Sequence, residues 1–404
     1  MKILLVEPNF PISTKSKNHK SFLPIGLLKI ASFLRDNNHT IRLFRGFSDD
    51  LDVTYKLEKF NPNEIWITSL FTYWSKYIKE SVEYYKTLFP KSRIIVGGIY
   101  ASLMPDHCQK NTGCDDVHVG VYSEAENYFP AYDLVDVDYQ ILHASRGCIR
   151  KCRFCGTYKI EPVFIPKKSI KYEIRSNKLV FYDNNFLANK YILNILKELE
   201  EAKYNNKAVF SECQSGFDGR ILNKTLAISL KKSRFLNPRL AWDNSYDDYK
   251  DIEKQLEFLI NAGYKPKEIY VFMVYNFGIP FKIMEDKRKK CYEWGVQIAD
   301  CRYRPLNQTF DNYNSHVDNQ TNKDYFIHSA WKDEQVRLFR ARVRMQNICI
   351  RHGFPFYSKL LEHKKFDDGF LRKIKGIVKI SEKIDLLKNN NIDYWLPIDN
   401  HSLL

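Results

Sequence analysis

Apolar residues in the first third of the chain occur in short runs, separated by longer segments with a helical period. The runs cover residues 3–6, 41–44, 65–70, 94–96 and 117–121, and helical patterns at 25–34 and 77–88 lie between them. This alternation is typical of a parallel sheet with helices on both faces. We therefore predict a Rossmann-like domain over residues 1–132, with ligands at the carboxyl ends of its strands.

A second alternation follows. Its apolar runs cover residues 141–144, 179–182, 208–213, 239–242, 269–274 and 296–301, and helical patterns lie at 190–202, 221–232, 252–262 and 283–294. Six strand–helix repeats predict a partial (β/α)6 barrel over residues 133–305, with reactive groups on the loops after the strands. Residues 306–404 are predicted to be a mostly helical extension, with a long helix at 331–352. The fold class is therefore α/β throughout, with a helical end.

Composition agrees with a globular chain. It has 404 residues, of which 44% are hydrophobic, enough for a large core. Its first apolar run is too short for a secretory signal, and no stretch approaches the roughly 20 apolar residues of a membrane span. Nine cysteines form no paired pattern, which favours reduced thiols. We predict a cytoplasmic protein without a membrane span.

Three cysteines stand close together directly after the first strand of the second alternation. Cys148, Cys152 and Cys155 have a C-x3-C-x2-C spacing, with Gly147 and Gly156 beside them and the cations Arg146, Arg150, Lys151 and Arg153 among them. Cations favour the thiolate form that binds metal. Three thiolates are one fewer than a closed zinc or iron–sulfur site uses, so a cluster held by them would keep one iron open. The alternative is a zinc site completed by a distant residue such as His143 or Cys213.

The segment from Ser145 to Gly156 resembles the signature of the radical S-adenosylmethionine (radical SAM) enzymes. The resemblance implies a [4Fe–4S] cluster on Cys148, Cys152 and Cys155, whose open iron binds S-adenosylmethionine. An electron then cleaves the cofactor to a 5′-deoxyadenosyl radical, which abstracts a hydrogen atom from a substrate. It also implies that the protein is oxygen-sensitive and takes its electron from an external donor such as flavodoxin or ferredoxin.

The first domain resembles the cobalamin-binding-like domain that precedes the barrel in one subgroup of that family. The shared features are Pro24-Ile-Gly-Leu-Leu28, Val96-Gly-Gly98 before Pro105, and Gly120 with Glu124 and Glu126 before Pro130-Ala-Tyr-Asp-Leu134. Glu7-Pro-Asn-Phe10 stands where many cobalamin proteins carry the Asp-x-His-x-x-Gly loop with its axial imidazole. Cobalamin binding is therefore left open. His19 and His107 are isolated alternatives for a ligand.

The resemblance also assigns the residues at the strand ends. Asp183 and Asn184 lie in Asp183-Asn-Asn-Phe186, which is similar to the family's run near the methionine ammonium, and Asn184 stands in place of an acid. Glu212 and Ser215 follow the third strand, and Asp243 follows the fourth. These five are predicted cofactor-binding residues. Cys301 and Tyr303, at the sixth strand, are candidate hydrogen-atom donors, because thiol and phenol hydrogens are readily abstracted.

Three functional predictions compete. The first is a radical SAM enzyme of unassigned substrate, and the second is a cobalamin-dependent radical SAM methyltransferase, which needs a corrin-sized cleft in the first domain. The third, from another class, is a metal-stabilised or electron-transfer binding protein, which would have a fourth protein ligand on its metal.

The formal net charge of +15 favours an acidic partner. An acidic peptide, a nucleotide or a nucleic acid would each suit it as substrate, and a lysine-rich solvated surface would explain it equally well. In the predicted helix 331–352, an apolar face is expected opposite a basic one. The apolar face comprises Trp331, Leu338, Ala341, Met345 and Ile348, and the basic face comprises Arg337, Arg340, Arg344 and Arg351.

Overall fold

A computed structural model describes residues 1–12, 23–46 and 51–398 of the chain. The chain divides into two compact units. The first comprises Met1–Val209, Arg304–Asn314 and Asn322–Phe326, and the second comprises Phe210–Tyr303, Ser315–Thr321 and Ile327–Leu404.

The first unit begins with a parallel five-stranded sheet. Its strands are β1 (Lys2–Glu7), β2 (Thr40–Arg45), β3 (Glu64–Ser69), β4 (Arg93–Gly98) and β5 (Asp116–Val117), in the order β2-β1-β3-β4-β5. The helices around it are α1 (Ile25–Asp36), α2 (Leu51–Phe60), α3 (Ser75–Leu88), α4 (Ile99–Leu103) and α5 (Pro105–Thr112). The strand order reverses between β1 and β3, which is where doubly wound sheets open a crevice for ligands.

The sheet is buried on both faces because alternate residues of β1 enter different clusters. Ile3 and Leu5 pack with Leu27 of α1, whereas Leu4 and Val6 pack with residues from α2, α3 and α5. Side chains of a strand alternate between its two faces, so a continuous apolar run is what a strand buried on both sides requires. The predicted run at 3–6 has this composition.

The rest of the first unit carries the cysteine segment. Its strands are β6 (Gln140–Leu142), β7 (Ser145–Arg146), β8 (Ile165–Pro166), β9 (Lys178–Phe181), β10 (Lys203–Tyr204) and β11 (Lys207–Ala208), and its helices are α6 (Thr157–Ile160) and α7 (Ile192–Glu201). β6 pairs in parallel with β9, whereas β7 pairs antiparallel with β8.

The second unit continues the strand–helix alternation. Its strands are β12 (Phe210–Cys213), β13 (Arg239–Ala241), β14 (Tyr270–Tyr275) and β15 (Gln297–Arg302), and β13, β14 and β15 form a parallel sheet in that order. Its helices are α8 (Lys224–Lys232), α9 (Tyr249–Asn261), α10 (Phe281–Glu293), α11 (Asp333–His352), α12 (Lys359–Glu362), α13 (Asp368–Gly376) and α14 (Ile380–Asn389).

The predicted fold class is confirmed: the chain is α/β, with a parallel sheet at its start and a mostly helical end. The domain boundaries after residues 132 and 305 stay predictions. No helix within the described residues has the length and apolar character needed to cross a bilayer.

The long helix α11 buries only part of the predicted apolar face: Met345 and Ile348 are buried, as is Trp331 just before the helix begins. Val336, Phe339 and Val343 are fully buried, whereas Leu338 and Ala341 are only half-buried. The basic face is also partly neutralised within the second unit, since Arg337 pairs with Asp318 and Asp333, and Arg344 pairs with Glu362.

Candidate metal and cofactor sites

The cysteine loop, residues 147–164, is closed at its base by backbone contacts. β7 and β8 pair through Ser145 with Pro166 and Arg146 with Ile165, and the amide of Lys167 donates to the carbonyl of Ala144 at 2.9 Å. Gly147 has φ +72°, and a Cβ there would overlap the carbonyl oxygen of Val163. Glycine is therefore required at the entrance, because this backbone is both left-handed and tightly packed.

Glu161 ties the two ends of this loop together. Its carboxylate accepts a hydrogen bond from the Gly147 amide at 2.7 Å and forms an ion pair with Arg146 at 2.8 Å. Asn184 donates to the same carboxylate at 3.4 Å. The guanidinium of Arg146 also lies 3.5 Å from Glu126, which in turn pairs with Lys29 of α1 at 2.9 Å. The positive charge of Arg146, which is predicted to favour the thiolate form of the cysteines, is thus shared with the carboxylates of Glu161 and Glu126.

Replacing Glu161 with alanine should loosen the base of the loop. The change leaves the Gly147 amide without its acceptor and Arg146 with Glu126 as its remaining partner, so we expect a loss of about 2 kcal/mol in the free energy of unfolding. Glu161→Gln keeps an oxygen acceptor and should lose less. Peptides covering residues 144–149 should exchange amide hydrogen faster in the alanine variant. Glu83→Ala, which removes an exposed pair with Lys79, is the control and should change stability by under about 0.5 kcal/mol. Equal losses in both variants would contradict this account.

The three thiols lie on this loop, half-buried and unoxidised. Cys148 Sγ accepts from the Arg150 amide at 3.3 Å and from Asn185 Nδ2 at 3.8 Å. Cys155 Sγ accepts from the Thr157 amide at 3.5 Å and donates to Thr157 Oγ1 at 3.2 Å. Amide donors aimed at sulfur are what stabilise thiolate ligands of iron–sulfur clusters.

The donor chemistry of the loop therefore fits an iron–sulfur cluster. The thiols are not gathered around one point, however: within the described ranges, no group of three or more His, Cys, Asp or Glu side chains is arranged to hold a metal ion. His143, the alternative fourth ligand, is almost fully buried, and burial lowers its pKa well below the usual value. It is a neutral core imidazole here.

Asp183 anchors the start of the cysteine loop from β9. Its carboxylate is fully buried and accepts hydrogen bonds from the Ala144 amide at 3.0 Å and from Ser145 Oγ at 2.7 Å. Burial raises the pKa of Asp183 to about 6, and the two hydrogen bonds oppose that rise. These contacts give Asp183 a positioning role, and its role as a cofactor ligand stays a prediction.

Asn184 and Asn185 reach the cysteine loop from the same turn. Asn184 Oδ1 accepts from Thr157 Oγ1 at 3.2 Å, next to Cys155, and Asn185 contacts Cys148. Asn185 was not among the predicted site residues. Its position one residue after Asn184 in the same motif is the feature that could have indicated it.

The other predicted cofactor-binding residues lie in the second unit. Glu212, in β12, forms an ion pair with Arg239, which also donates to the carbonyl of Cys213 at 2.7 Å. Ser215 is exposed in the turn after β12, and Asp243 follows β13. Burial raises the pKa of the Asp243 carboxyl.

Lys287 of α10 holds the turn that carries Asp243. Its ammonium is fully buried and donates to the carbonyls of Trp242 at 2.6 Å and Asn244 at 2.9 Å. Burial lowers the pKa of Lys287 to about 8, against the opposing effect of Asp243. This residue could not be singled out from the sequence, because a lysine in an amphipathic helix usually lies in solvent.

The two candidate hydrogen donors lie two residues apart at the end of β15. Cys301 is exposed, and the Tyr303 ring lies 4.5 Å from that of Phe277. Burial raises the pKa of Tyr303, which keeps its phenol protonated at neutral pH. Cys301 is the penultimate residue of β15, and Tyr303 directly follows the strand. Their role as donors stays a prediction.

Aromatic side chains lie at the carboxyl edge of the first sheet, where the strand order reverses. Phe10, from the loop after β1, stacks on Trp74 with ring centroids 5.1 Å apart. Phe71 and Tyr73, after β3, stack at 4.9 Å, and Phe71 meets Trp74 edge-on at 5.0 Å. This edge therefore presents an apolar, flat-sided wall of the kind that large planar cofactors contact.

The two glycines at the end of β4 have different roles. Gly98 has φ +97°, and a Cβ there would overlap the backbone of Ser69, so this position is restricted to glycine by packing. A Cβ at Gly97 would meet only the Cβ of His118, at 3.7 Å, which is an ordinary contact. Gly97 thus leaves space at the edge of the sheet rather than relieving strain.

Histidines near this edge are the residues that could serve as ligands of cobalamin. Glu7, at the end of β1, is buried and paired with Arg45. The loop after β1 contains no histidine within residues 8–12. His107 is bonded to the Tyr100 hydroxyl at 2.6 Å, and His19 lies outside the described residues. His118, which the sequence did not single out, follows β5, and its buried Nε2 has no hydrogen-bond partner among the described residues. The aromatic rings at this edge and the unpartnered imidazole nitrogen of His118 fit the chemistry of a corrin.

The cysteine loop packs directly on this edge. A Cβ on Gly156 would lie 3.3 Å from Leu103 of α4 and 3.5 Å from Leu306, which belongs to the returning segment Arg304–Asn314. The helix α4 begins at the carboxyl end of β4, so residues that follow Cys155 lie beside the ends of the sheet strands. The two candidate cofactor regions are therefore neighbours within one compact unit.

Residues 19–132 match the family model of the B12 binding domain. The cobalamin-dependent S-adenosylmethionine radical enzyme OxsB is similar in structure, both with aqua-cobalamin bound (12% identity, TM-score 0.41) and in its apo form (13%, 0.40). Each alignment covers 87% of this chain and 56% of OxsB, so the chain spans little more than half of that protein's length. A cobalamin-binding protein from Desulfitobacterium hafniense DCB-2 aligns over 28% of this chain and 51% of its own, with 17% identity and a TM-score of 0.20. No curated protein matches the sequence.

Proposed function

We propose that this chain is a radical S-adenosylmethionine enzyme whose first domain binds cobalamin. The observation that carries the proposal is the packing of the C-x3-C-x2-C loop against α4, at the edge of a sheet of which β2 to β5 fall within the B12 binding domain match. When bound, a [4Fe–4S] cluster would supply the electron that cleaves S-adenosylmethionine to a 5′-deoxyadenosyl radical. The same arrangement supports methyl transfer as the reaction class, because a corrin beside the cofactor pocket is suited to it.

The chain's own residues would have distinct tasks in this function. Cys148, Cys152 and Cys155 would hold the cluster, and the amides of Arg150 and Thr157 would stabilise the thiolates. Asp183 and Glu161 fix the two ends of the loop. The exposed ring of Phe71 and the half-buried ring of Trp74 would exclude water from the corrin.

The test is anaerobic purification followed by reconstitution with iron, sulfide and hydroxocobalamin. Iron and corrin content would then be measured, together with 5′-deoxyadenosine formed after chemical reduction in the presence of S-adenosylmethionine. Iron, retained corrin and 5′-deoxyadenosine together support the proposal. Zinc in place of iron and no cleavage would overturn it in favour of a metal-stabilised binding protein. Cleavage without retained corrin would leave a radical enzyme and remove the cobalamin part.

Substituting Gly97 should separate corrin binding from folding. Gly97→Ala places a Cβ at ordinary contact distance, so the fold and corrin retention should both persist. Gly97→Leu adds a branched side chain in the space at the end of β4, and we expect at least a tenfold loss of hydroxocobalamin affinity, corresponding to about 1.4 kcal/mol. Absorbance titration and thermal unfolding measure the two effects. Unchanged affinity in a folded Gly97→Leu protein would place the corrin elsewhere.

A further inference from the structure

An open cleft of about 780 Å³ lies beside the carboxyl-terminal half of α7. One wall comes from the segment 171–175, before β9, and the other comes from the segment 194–204, which runs from α7 into β10. The buried side chain of Ile174 and the half-buried ring of Tyr204 are part of the lining. None of the candidate metal or cofactor residues lines this cleft, so the function proposed above gives it no task.

The cleft lies at the end of β9 opposite the start of the cysteine loop. Residues 171–175 precede β9, whose other end leads into Asp183 and its contacts with Ala144 and Ser145. In a strand–helix unit the helix returns along the strand, so the last turn of α7 is again beside the start of β9. The two segments line one cleft, in agreement with this path. A ligand bound here is therefore held apart from the thiols.

Positive charge dominates the cleft. Its lining includes four exposed cations, Lys171, Arg175, Lys197 and Lys203. Glu198 is used within the fold, since it accepts from the Ile170 amide at 2.9 Å and from Asn194 at 3.0 Å. Glu201 lies 4.0 Å from Lys197, and the other three cations have no ion pair among the described residues. Cations gathered around one cleft repel each other, so a negatively charged ligand is attracted to it.

The strand β10 gives the cleft a backbone edge. β10 and β11 form a two-stranded sheet, joined by Asn205 and Asn206, which have φ +47° and +61°. Two successive residues with positive φ are typical of the tightest hairpin loops. Within the part of the chain that the structure describes, β10 pairs with no strand other than β11. The second edge of such a strand is where an extended peptide can add by main-chain hydrogen bonds.

We propose that this cleft binds an acidic, extended peptide segment of a partner protein. The proposal is independent of the proposed function, because it uses none of the residues that would hold a cofactor. Alternate side chains of an extended peptide point the same way, about 7 Å apart, so carboxylates at every second residue would meet the cations of the two walls. Pairing with β10 would fix the direction of the segment, and Ile174 and Tyr204 would contact its apolar groups.

The two carboxylates in the lining favour a peptide over a nucleic acid. A nucleic-acid strand carries a negative charge at every nucleotide, so some of its phosphates would lie against Glu198 or Glu201. A peptide can place neutral residues at these points and its acids at the cations, which is the complementarity that protein interfaces use. The edge of β10 likewise suits a ligand with amide groups of its own.

Charge reversal tests the cleft. Lys171→Glu, Arg175→Glu and Lys203→Glu would be combined in the full chain, and the probe would be a fluorescent decapeptide of alternating glutamate and threonine. By fluorescence anisotropy we expect at least a tenfold loss of affinity at low salt. The matched control combines Lys91→Glu, Lys224→Glu and Lys254→Glu, which change the net charge equally at exposed positions outside the cleft and should lose less than about threefold. Equal losses in the two variants, or no binding of the probe by the unmodified chain, would overturn the proposal.

A milder variant serves if charge reversal prevents folding, as judged by thermal unfolding. Lys171→Gln, Arg175→Gln and Lys203→Gln remove the charge without adding acids, and together they should still weaken probe binding about fivefold or more. Unchanged affinity in this variant would refute the assignment of the cleft.

The pairing with β10 is tested on the peptide. Two forms of the probe would be N-methylated, one at every glutamate and the other at every threonine, so that each loses the amide donors of one edge and keeps its charge. One of the two forms should bind at least tenfold more weakly than the unmethylated probe. If both bound as tightly as the unmethylated probe, the peptide would not be held as an added strand and the proposal would fail.

Hydrogen exchange locates the bound probe. The amides of residues 171–175 and 202–204 should exchange more slowly in its presence, whereas those of residues 147–156 should be unaffected. Protection confined to another region would place the peptide elsewhere. A single-stranded RNA of equal charge is the competing ligand. If this RNA binds more tightly than the peptide and loses its affinity in the charge-reversed chain, the cleft binds nucleic acid and the proposal is wrong.

Discussion

Cys152→Ala is expected to reduce bound iron from about four atoms per chain to background and to abolish 5′-deoxyadenosine formation. A cluster held by three thiolates has no spare protein ligand, and the described residues bring no other metal-binding group to the loop. Iron analysis and product assay after identical anaerobic reconstitution provide the measurement. Loss of iron would establish Cys152 as a ligand independently of any substrate.

The control for this variant is Cys301→Ser, which removes an exposed thiol outside the loop. Its iron content should equal that of the unmodified chain, whatever its effect on substrate turnover. If Cys152→Ala retained its iron, the three-cysteine assignment would be wrong and a fourth protein ligand would have to be sought.

Asp183→Ala is expected to lower the free energy of unfolding of the metal-free chain by about 3 kcal/mol. The substitution leaves the Ala144 amide buried without an acceptor and opens a small cavity between β6 and β9. Denaturant unfolding measures the loss. Asp138→Ala, which removes an exposed carboxylate paired with Lys178, should change stability by under about 1 kcal/mol.

Asp183 should also make stability depend on pH. Burial raises its pKa from 3.8 in the unfolded chain to about 6 in the folded one. Between these values the folded chain keeps a proton that the unfolded chain has released, so the free energy of unfolding falls as the pH rises. The fall is on the order of 2 kcal/mol. Asp300, whose pKa burial also raises to about 6, acts in the same direction.

Asp183→Asn removes the titration of Asp183, while Asp300, Asp243 and His143 titrate in both chains. Between pH 4.5 and 7 the free energy of unfolding of the variant should therefore fall by about 2 kcal/mol less than that of the unmodified chain. A slope identical to that of the unmodified chain would show that Asp183 is ionised in the folded state across this range. The stability of Asp183→Ala would then be the remaining test of the anchoring role of Asp183.

The strands of the first sheet could be predicted because burial on both faces leaves a continuous apolar run. The runs at 3–6 and 94–96 correspond to β1 and β4, which extend beyond them by one or two residues at each end. The run at 117–121 corresponds to a strand of only two residues. Val119 there is largely exposed and Gly120 has φ +87°, so the chain leaves the edge of the sheet although its composition favours a strand.

The buried face of α11 could be predicted only in part, at Met345 and Ile348, because period alone does not fix which of two mixed faces is buried. Phe339 and Gln346 are both fully buried, and Gln346 binds Arg288, which is itself buried. In the sequence, a buried polar network of this kind has the same pattern as a polar helix face exposed to solvent. The arginines opposite it were correctly placed on a helix, but their partners Asp318 and Glu362 are brought there by the fold.

The candidate site also has residues that could be predicted from the sequence and residues that could not. The cysteines are predictable because ligands of one loop are contiguous in sequence and their spacing has chemical meaning. Glu161 and Asn185 act only because the two-residue strands β7 and β8 close the loop, and such strands have no periodicity to detect. Lys287 belongs to the same class, since its burial depends on the turn after β13.

The closed base of the cysteine loop has a consequence for how this chain can change over evolutionary time. Gly147, Glu161 and the β7–β8 pair seal the loop with contacts that involve none of the cysteines. Residues inside the seal can be inserted, deleted or respaced at the modest entropic cost of a longer or shorter loop, while the strands outside it keep their register. The cysteine loop can therefore change in length, or lose its cysteines, while the scaffold that holds its base stays intact.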